Sequence, residues 1–83
     1  MNEPTVKILL VEDDEALRFI VKDNLQQNNY QVDDAEDGEA ALARLKTNPF
    51  DVILRDIVMP GVDGISLMKR LKNDPEPPAI IVL

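Results

Sequence analysis

Two stretches of the chain end in carboxylates. Residues 6–11 read V-K-I-L-L-V and run directly into Glu12, Asp13, Asp14 and Glu15, while residues 51–56 read D-V-I-L-R-D and close on Asp56. If both stretches are strands and lie side by side, Glu12, Asp13 and Asp56 converge at one sheet edge. Two charges ~5 Å apart repel by roughly 3 kcal/mol at an effective dielectric of 20, so such an edge requires a cation. A hard divalent ion with oxygen ligands suits it, and Mg²⁺ with several retained waters suits it best. That ion would offset charge on an incoming phosphoryl group, and Asp56 would have the chemistry of a carboxylate nucleophile. Each half also has a plainer account. The acidic run can simply cap and charge a helix start, and Asp56 alone can be a solvated strand end. Solvation explains poorly only the combination, in which acids stand at two strand ends and each is followed by a loop and a helix.

Other chemistries are excluded by composition. The chain has 83 residues with no cysteine and no histidine. Disulfides, thiol chemistry, Cys- or His-ligated zinc and a His general base are therefore absent from it. Its 16 acidic and 9 basic side chains give a net charge of −7. That balance argues against direct nucleic-acid binding, which rests on neutralising phosphates with Lys and Arg, and against anionic membrane surfaces. No stretch reads as a signal peptide or a membrane span, so a cytoplasmic location is expected. Hydrophobic residues make up 45%, as in an ordinary globular domain. One small domain over residues 1–83 is expected, with a core of marginal size.

The elements that would position the acids follow from periodicity. Residues 6–11 read as a buried strand. Leu17, Ile20, Val21 and Leu25 then recur at helical spacing behind a candidate N-cap, Asp14, and Asn28-Asn29 ends the helix. Residues 30–35 form a second short strand. Asp37-Gly38 opens a second helix with Ala41, Leu42 and Leu45 on one face, and Asn48-Pro49 stops it. A third strand spans 51–56. Met59-Pro60-Gly61 is a turn, and Asp63-Gly64 caps a third helix carrying Ile65, Leu67, Met68 and Leu71. A rigid Pro-rich linker over 74–78 leads to a wholly apolar fourth strand at 79–83. The β-α-β-α-β-α-β alternation predicts a parallel α/β sheet with right-handed crossovers and helices on both faces.

The segments K-I-L-L-V-E-D-D-E-A-L-R (7–18), A-E-D-G-E-A-A-L (35–42) and D-V-I-L-R-D-I-V-M-P-G-V-D-G (51–64) resemble the CheY-like receiver domains of bacterial two-component response regulators. The likeness covers essentially the whole chain in the right order. It implies a flavodoxin-like sheet and the function of a phosphoacceptor in a phosphorelay, a signalling module and not an enzyme. A histidine kinase would be the phosphodonor. By the resemblance, Asp56 is the phosphorylated aspartate, Asp13 the direct Mg²⁺ ligand and Glu12 its partner, which reaches the metal through water. Val58 supplies a backbone carbonyl to the metal, and Pro60 and Gly61 shape that loop. Arg55 departs from the apolar residue many receivers carry there. Strand alternation places it on the face opposite Asp56.

The resemblance also implies five strands and five helices, of which this sequence supplies four strands and three helices. The expectation is a receiver truncated after the fourth strand, without the Thr or Ser, the Lys, the switch aromatic and the last two helices. Phosphotransfer and output would then be impaired. An apolar fourth strand at a sheet edge is a template for pairing with another chain. A homodimer or strand-exchanged oligomer through that strand is therefore expected, and a receiver half-fold acting only as a self-associating unit is the competing reading. A haloacid-dehalogenase-like phosphatase would want a second Asp where Val58 stands. A flavin phosphate would want donors, not acids, after the first strand.

Overall fold

The computed structural model describes residues 5–55 and 77–82. Its elements are β1 (Lys7–Val11), α1 (Glu15–Gln27), β2 (Gln31–Ala35), α2 (Gly38–Thr47), β3 (Val52–Arg55) and β4 (Ala79–Val82). The expected third helix, the turn at 59–61 and Asp56, Val58, Pro60, Gly61 and Leu83 lie outside the described residues.

Local chemistry sets the helix ends where the sequence places them. The Asp14 side chain accepts the Leu17 N–H at 3.0 Å, and Asp37 accepts the Ala40 N–H at 2.8 Å. Each thereby satisfies a donor that the first helical turn leaves open. After Asn28, Asn29 takes φ 70°, a left-handed conformation that asparagine tolerates, and the chain turns into β2. Strands begin one residue later than the apolar runs suggested, at Lys7, Gln31 and Val52. Asp51 is not a strand residue; its carboxylate accepts the Lys7 N–H at 2.9 Å.

The sheet is parallel throughout, in the order β2-β1-β3-β4. Alternation sorts its side chains into two layers. Leu9, Val11, Ala35 and Ile53 pack with Ala41 of α2, joined by Leu42, Leu45, Phe50 and Ile80. Ile8, Leu10 and Leu54 pack on the other face with Val21 and Leu25 of α1. The helices thus cover opposite faces, as the crossover rule requires. Arg55 lies in register with Val11 and Val82, on the α2 face. It is half-buried, and its Nε is buried with no hydrogen-bond partner among the described residues.

One expectation about α1 needs correction. Val21 and Leu25 meet the sheet, but Leu17 is 44% and Ile20 54% exposed, and no α1 residue is fully buried. Arg18 and Lys22, on the next flank, reach over β2 to Asp34. The helix is held by apolar contact along one line and by charge along another, which leaves the Leu17–Ile20 flank bare.

Candidate functional site: the acidic end of the central strand

Because every strand is parallel, all four end at the same edge, which is where ligands of open α/β sheets bind. β1 is a central strand, flanked by β2 and β3. The residues that follow Val11 therefore emerge between two neighbours and not at a rim. Glu12 N–H continues the ladder by donating to the Ala35 carbonyl at 3.0 Å. Glu12 is 4% exposed, the one buried charged residue among the described residues, whereas Asp13 faces solvent. A buried carboxylate is tolerated only where its surroundings compensate it.

Arg18 reaches back from α1 to this bend. Its Nη1 donates to the Glu12 carbonyl at 2.9 Å and its Nε to Asp34 Oδ2 at 3.1 Å. Lys22 Nζ donates to the other Asp34 oxygen at 3.1 Å. On the opposite face, Arg44 Nε stands 3.6 Å from Asp33 Oδ1. Both acids of edge strand β2 are thus met by cations from the helix on their own side. Sequence reading missed this set. Its signal was the Arg18/Lys22 pair at i, i+4, one helical face aimed at an acid doublet in the next strand.

Burial by itself would raise the Asp34 carboxyl. The hydrogen bond and charge of Lys22, with the charge and hydrogen bond of Arg18, outweigh that effect and hold it below its usual 3.8. A carboxyl lowered in the folded state adds stability above its unfolded value, and that stability is lost as pH falls through the folded value. Asp34→Asn is therefore expected to lower stability at pH 7 by on the order of 1 kcal/mol. The gap from wild type should close below about pH 4. Urea midpoints measured across this range check it; a gap independent of pH would contradict the assignment.

Of the expected metal set, Glu12 and Asp13 are placed at the end of β1, while Asp56 and Val58 lie outside the described residues. Among the described residues no group of three or more candidate ligands occurs. The two that are placed bring hard carboxylate oxygens, one sheltered and one open, and that donor chemistry fits Mg²⁺ and not a thiophilic metal. A cleft of about 440 Å³ runs over Arg18, Lys22 and Asp34 on the flank of α1, and neither Glu12 nor Asp13 lines it. It has mixed charge and no grouped reactive side chains. Among the described residues, no helix is long and apolar enough to cross a membrane.

Residues 8–83 match the response regulator receiver domain family. The transcriptional regulatory protein ResD of Bacillus subtilis is 36% identical over 76 residues, covering 92% of this chain and 32% of that protein. The alkaline phosphatase synthesis transcriptional regulatory protein PhoP of the same organism is 39% identical over 67 residues, covering 81% and 28%. The chain thus spans about a third or less of the curated relatives it matches. Among solved structures, chemotaxis response regulator CheY4 of Vibrio cholerae aligns with a TM-score of 0.80 at 32% identity, over 95% of this chain and 68% of that one. Response regulator TrrA of Thermotoga maritima, solved in complex with Mg²⁺-BeF, aligns at 0.79 and 32% identity, over 94% and 68%. The same regulator in complex with histidine kinase ThkA aligns at 0.78, over 94% and 67%.

Proposed function

The chain belongs to the response regulator receiver domain family, and we propose that residues 1–83 act within it as one phosphoacceptor unit of a two-component phosphorelay. Asp56 is the acceptor. A carboxylate oxygen of Asp56 forms the new O–P bond as the donor's bond to phosphorus breaks, and a histidine kinase supplies the phosphoryl group. Glu12, Asp13, Asp56 and the Val58 carbonyl would hold Mg²⁺. When bound, the metal supplies neutralisation of phosphoryl charge. The chain's own residues place the acceptor and keep the acidic edge organised, and in this chemistry positioning and electrostatics do most of the work.

The observation that carries this reading is the parallel register of β1 with β3, in which Val11 stands opposite Arg55. Glu12 and Asp56 are the next residues of the two chain segments. Two findings in a similar protein support it: TrrA is known with Mg²⁺-BeF and with a histidine kinase. Thermal melts with and without Mg²⁺ test the metal. At ten times the dissociation constant, Mg²⁺ should stabilise wild type by roughly 1.4 kcal/mol. Asp13→Ala should lose that gain, and should also lose Mg²⁺-dependent labelling by an acyl-phosphate donor. An equal Mg²⁺ shift in both proteins would remove Asp13 from the ligand set.

Self-association is a second reading with its own observation. β4 pairs only with β3 among the described residues. It carries no charge, and Ile81 is 48% exposed on the face of the sheet where Leu17 and Ile20 are also bare. By contrast the β2 edge carries Asp33 and Asp34, a charged edge of the kind that discourages pairing. A two-fold homodimer through β4, or its strand-exchanged variant, buries this surface. Sedimentation of the 83-residue chain at tens of micromolar should give a dimer; a cooperatively melting monomer would refute it.

A further inference from the structure

The backbone that presents Glu12 and Asp13 is held from two directions. Glu12 N–H is bonded to the Ala35 carbonyl at 3.0 Å, and Glu12 C=O accepts Arg18 Nη1 at 2.9 Å. That carbonyl belongs to the peptide unit joining Glu12 to Asp13. The unit is planar, so fixing its oxygen fixes the Asp13 Cα from which the exposed carboxylate springs. Arg18 can do this because its own guanidinium is fixed. Its Nε is tied to Asp34 at 3.1 Å, and the Arg18 side chain is only 18% exposed. A planar fork bonded at two nitrogens has little freedom to swing.

We infer that Arg18, oriented by Asp34, is a positioning residue for the divalent-cation site, setting the Glu12–Asp13 peptide so that Asp13 meets the metal. The inference rests on the reading of Glu12 and Asp13 as metal ligands. The bland alternative is a clamp that merely fastens α1 to β2, and Lys22 separates the two. Lys22 shares the Asp34 anchor but does not bond the Glu12 carbonyl.

The test is Mg²⁺ titration of the full 83-residue chain by calorimetry, with the ¹⁵N resonance of Asp13 followed in parallel. The Asp13 nitrogen belongs to the peptide unit that Arg18 holds and reports its hydrogen bond. Arg18→Met should weaken Mg²⁺ binding roughly 10–100-fold, as loss of a group that orients a metal ligand does, and should shift the Asp13 resonance before metal is added. Lys22→Met should lower stability while leaving Mg²⁺ affinity and the resonance near wild type. If Arg18→Met does not fold, Arg18→Lys serves the same comparison, since it keeps stem and charge but cannot bridge both acceptors. Wild-type affinity in the Arg18 variant, or an equal loss in Lys22→Met, overturns the positioning role alone. A wild type that binds no Mg²⁺ overturns the metal reading and this role with it.

Discussion

Ile53→Ala is expected to cost about 2–5 kcal/mol of stability, the range for truncating a buried Leu or Ile. Ile53 is fully buried and sits in the middle of the row Leu9–Ile53–Ile80 across the three strands β1, β3 and β4. The cavity would open on the α2 face, where Ile53 packs in one cluster with Leu9, Val11 and Ala41. An 83-residue domain has a total stability of only about 4–12 kcal/mol, so this one change removes a large part of it. Phe19→Ala is the control. Phe19 has more apolar surface than Ile53, but it is 71% exposed on α1. Its removal should change stability by no more than about 0.5 kcal/mol. Equilibrium urea unfolding of the two variants decides the matter, and equal midpoints would contradict the placement of the core.

The same contrast shows where sequence reading succeeds and where it stops. Asp14, Asp37 and Asn28-Asn29 mark helix ends through interactions within a few residues, so they were legible and stand where expected. The strand–helix alternation implies a parallel sheet with helices on both faces, and both hold among the described residues. Leu17 and Ile20 were read with Val21 and Leu25 as one apolar face, yet they remain exposed. Periodicity reveals a stripe on a helix but not how much of it a neighbour covers. Nor does it reveal which distant acid a cation will meet. Arg18 finds Asp34 only because β2 lies beside β1 with Leu10 opposite Asp34, a register that no local pattern encodes. The order β2-β1-β3-β4 agrees with the flavodoxin-like sheet that the resemblance implies, and periodicity alone does not supply it. At the site, Glu12-Asp13 closes the central strand as read, whereas Asp56 and Val58 belong to residues the structure does not describe. The roles proposed for them rest on the motif, and for Asp56 also on the register of the strand that precedes it.

Asp56→Asn is the second change expected to have a large effect, and it bears on the central claim. The substitution keeps the size and shape of the side chain and removes its negative charge. An amide oxygen is a poor nucleophile toward phosphorus and a weaker Mg²⁺ ligand than a carboxylate, so the proposed acceptor and metal donor are lost together. Folding should survive, because relief of repulsion at an acidic edge offsets the lost metal contact. The chain contains other carboxylates that a reactive donor could label, notably Asp13 and Asp51. The decisive measurement is therefore incorporation of phosphoryl groups from a small acyl-phosphate donor with Mg²⁺ into wild type and Asp56→Asn, both shown to be folded by their melts. The account predicts acid-stable, base-labile label of the acyl-phosphate type on wild type and background incorporation on Asp56→Asn. Undiminished labelling of Asp56→Asn would show that Asp56 is not the acceptor.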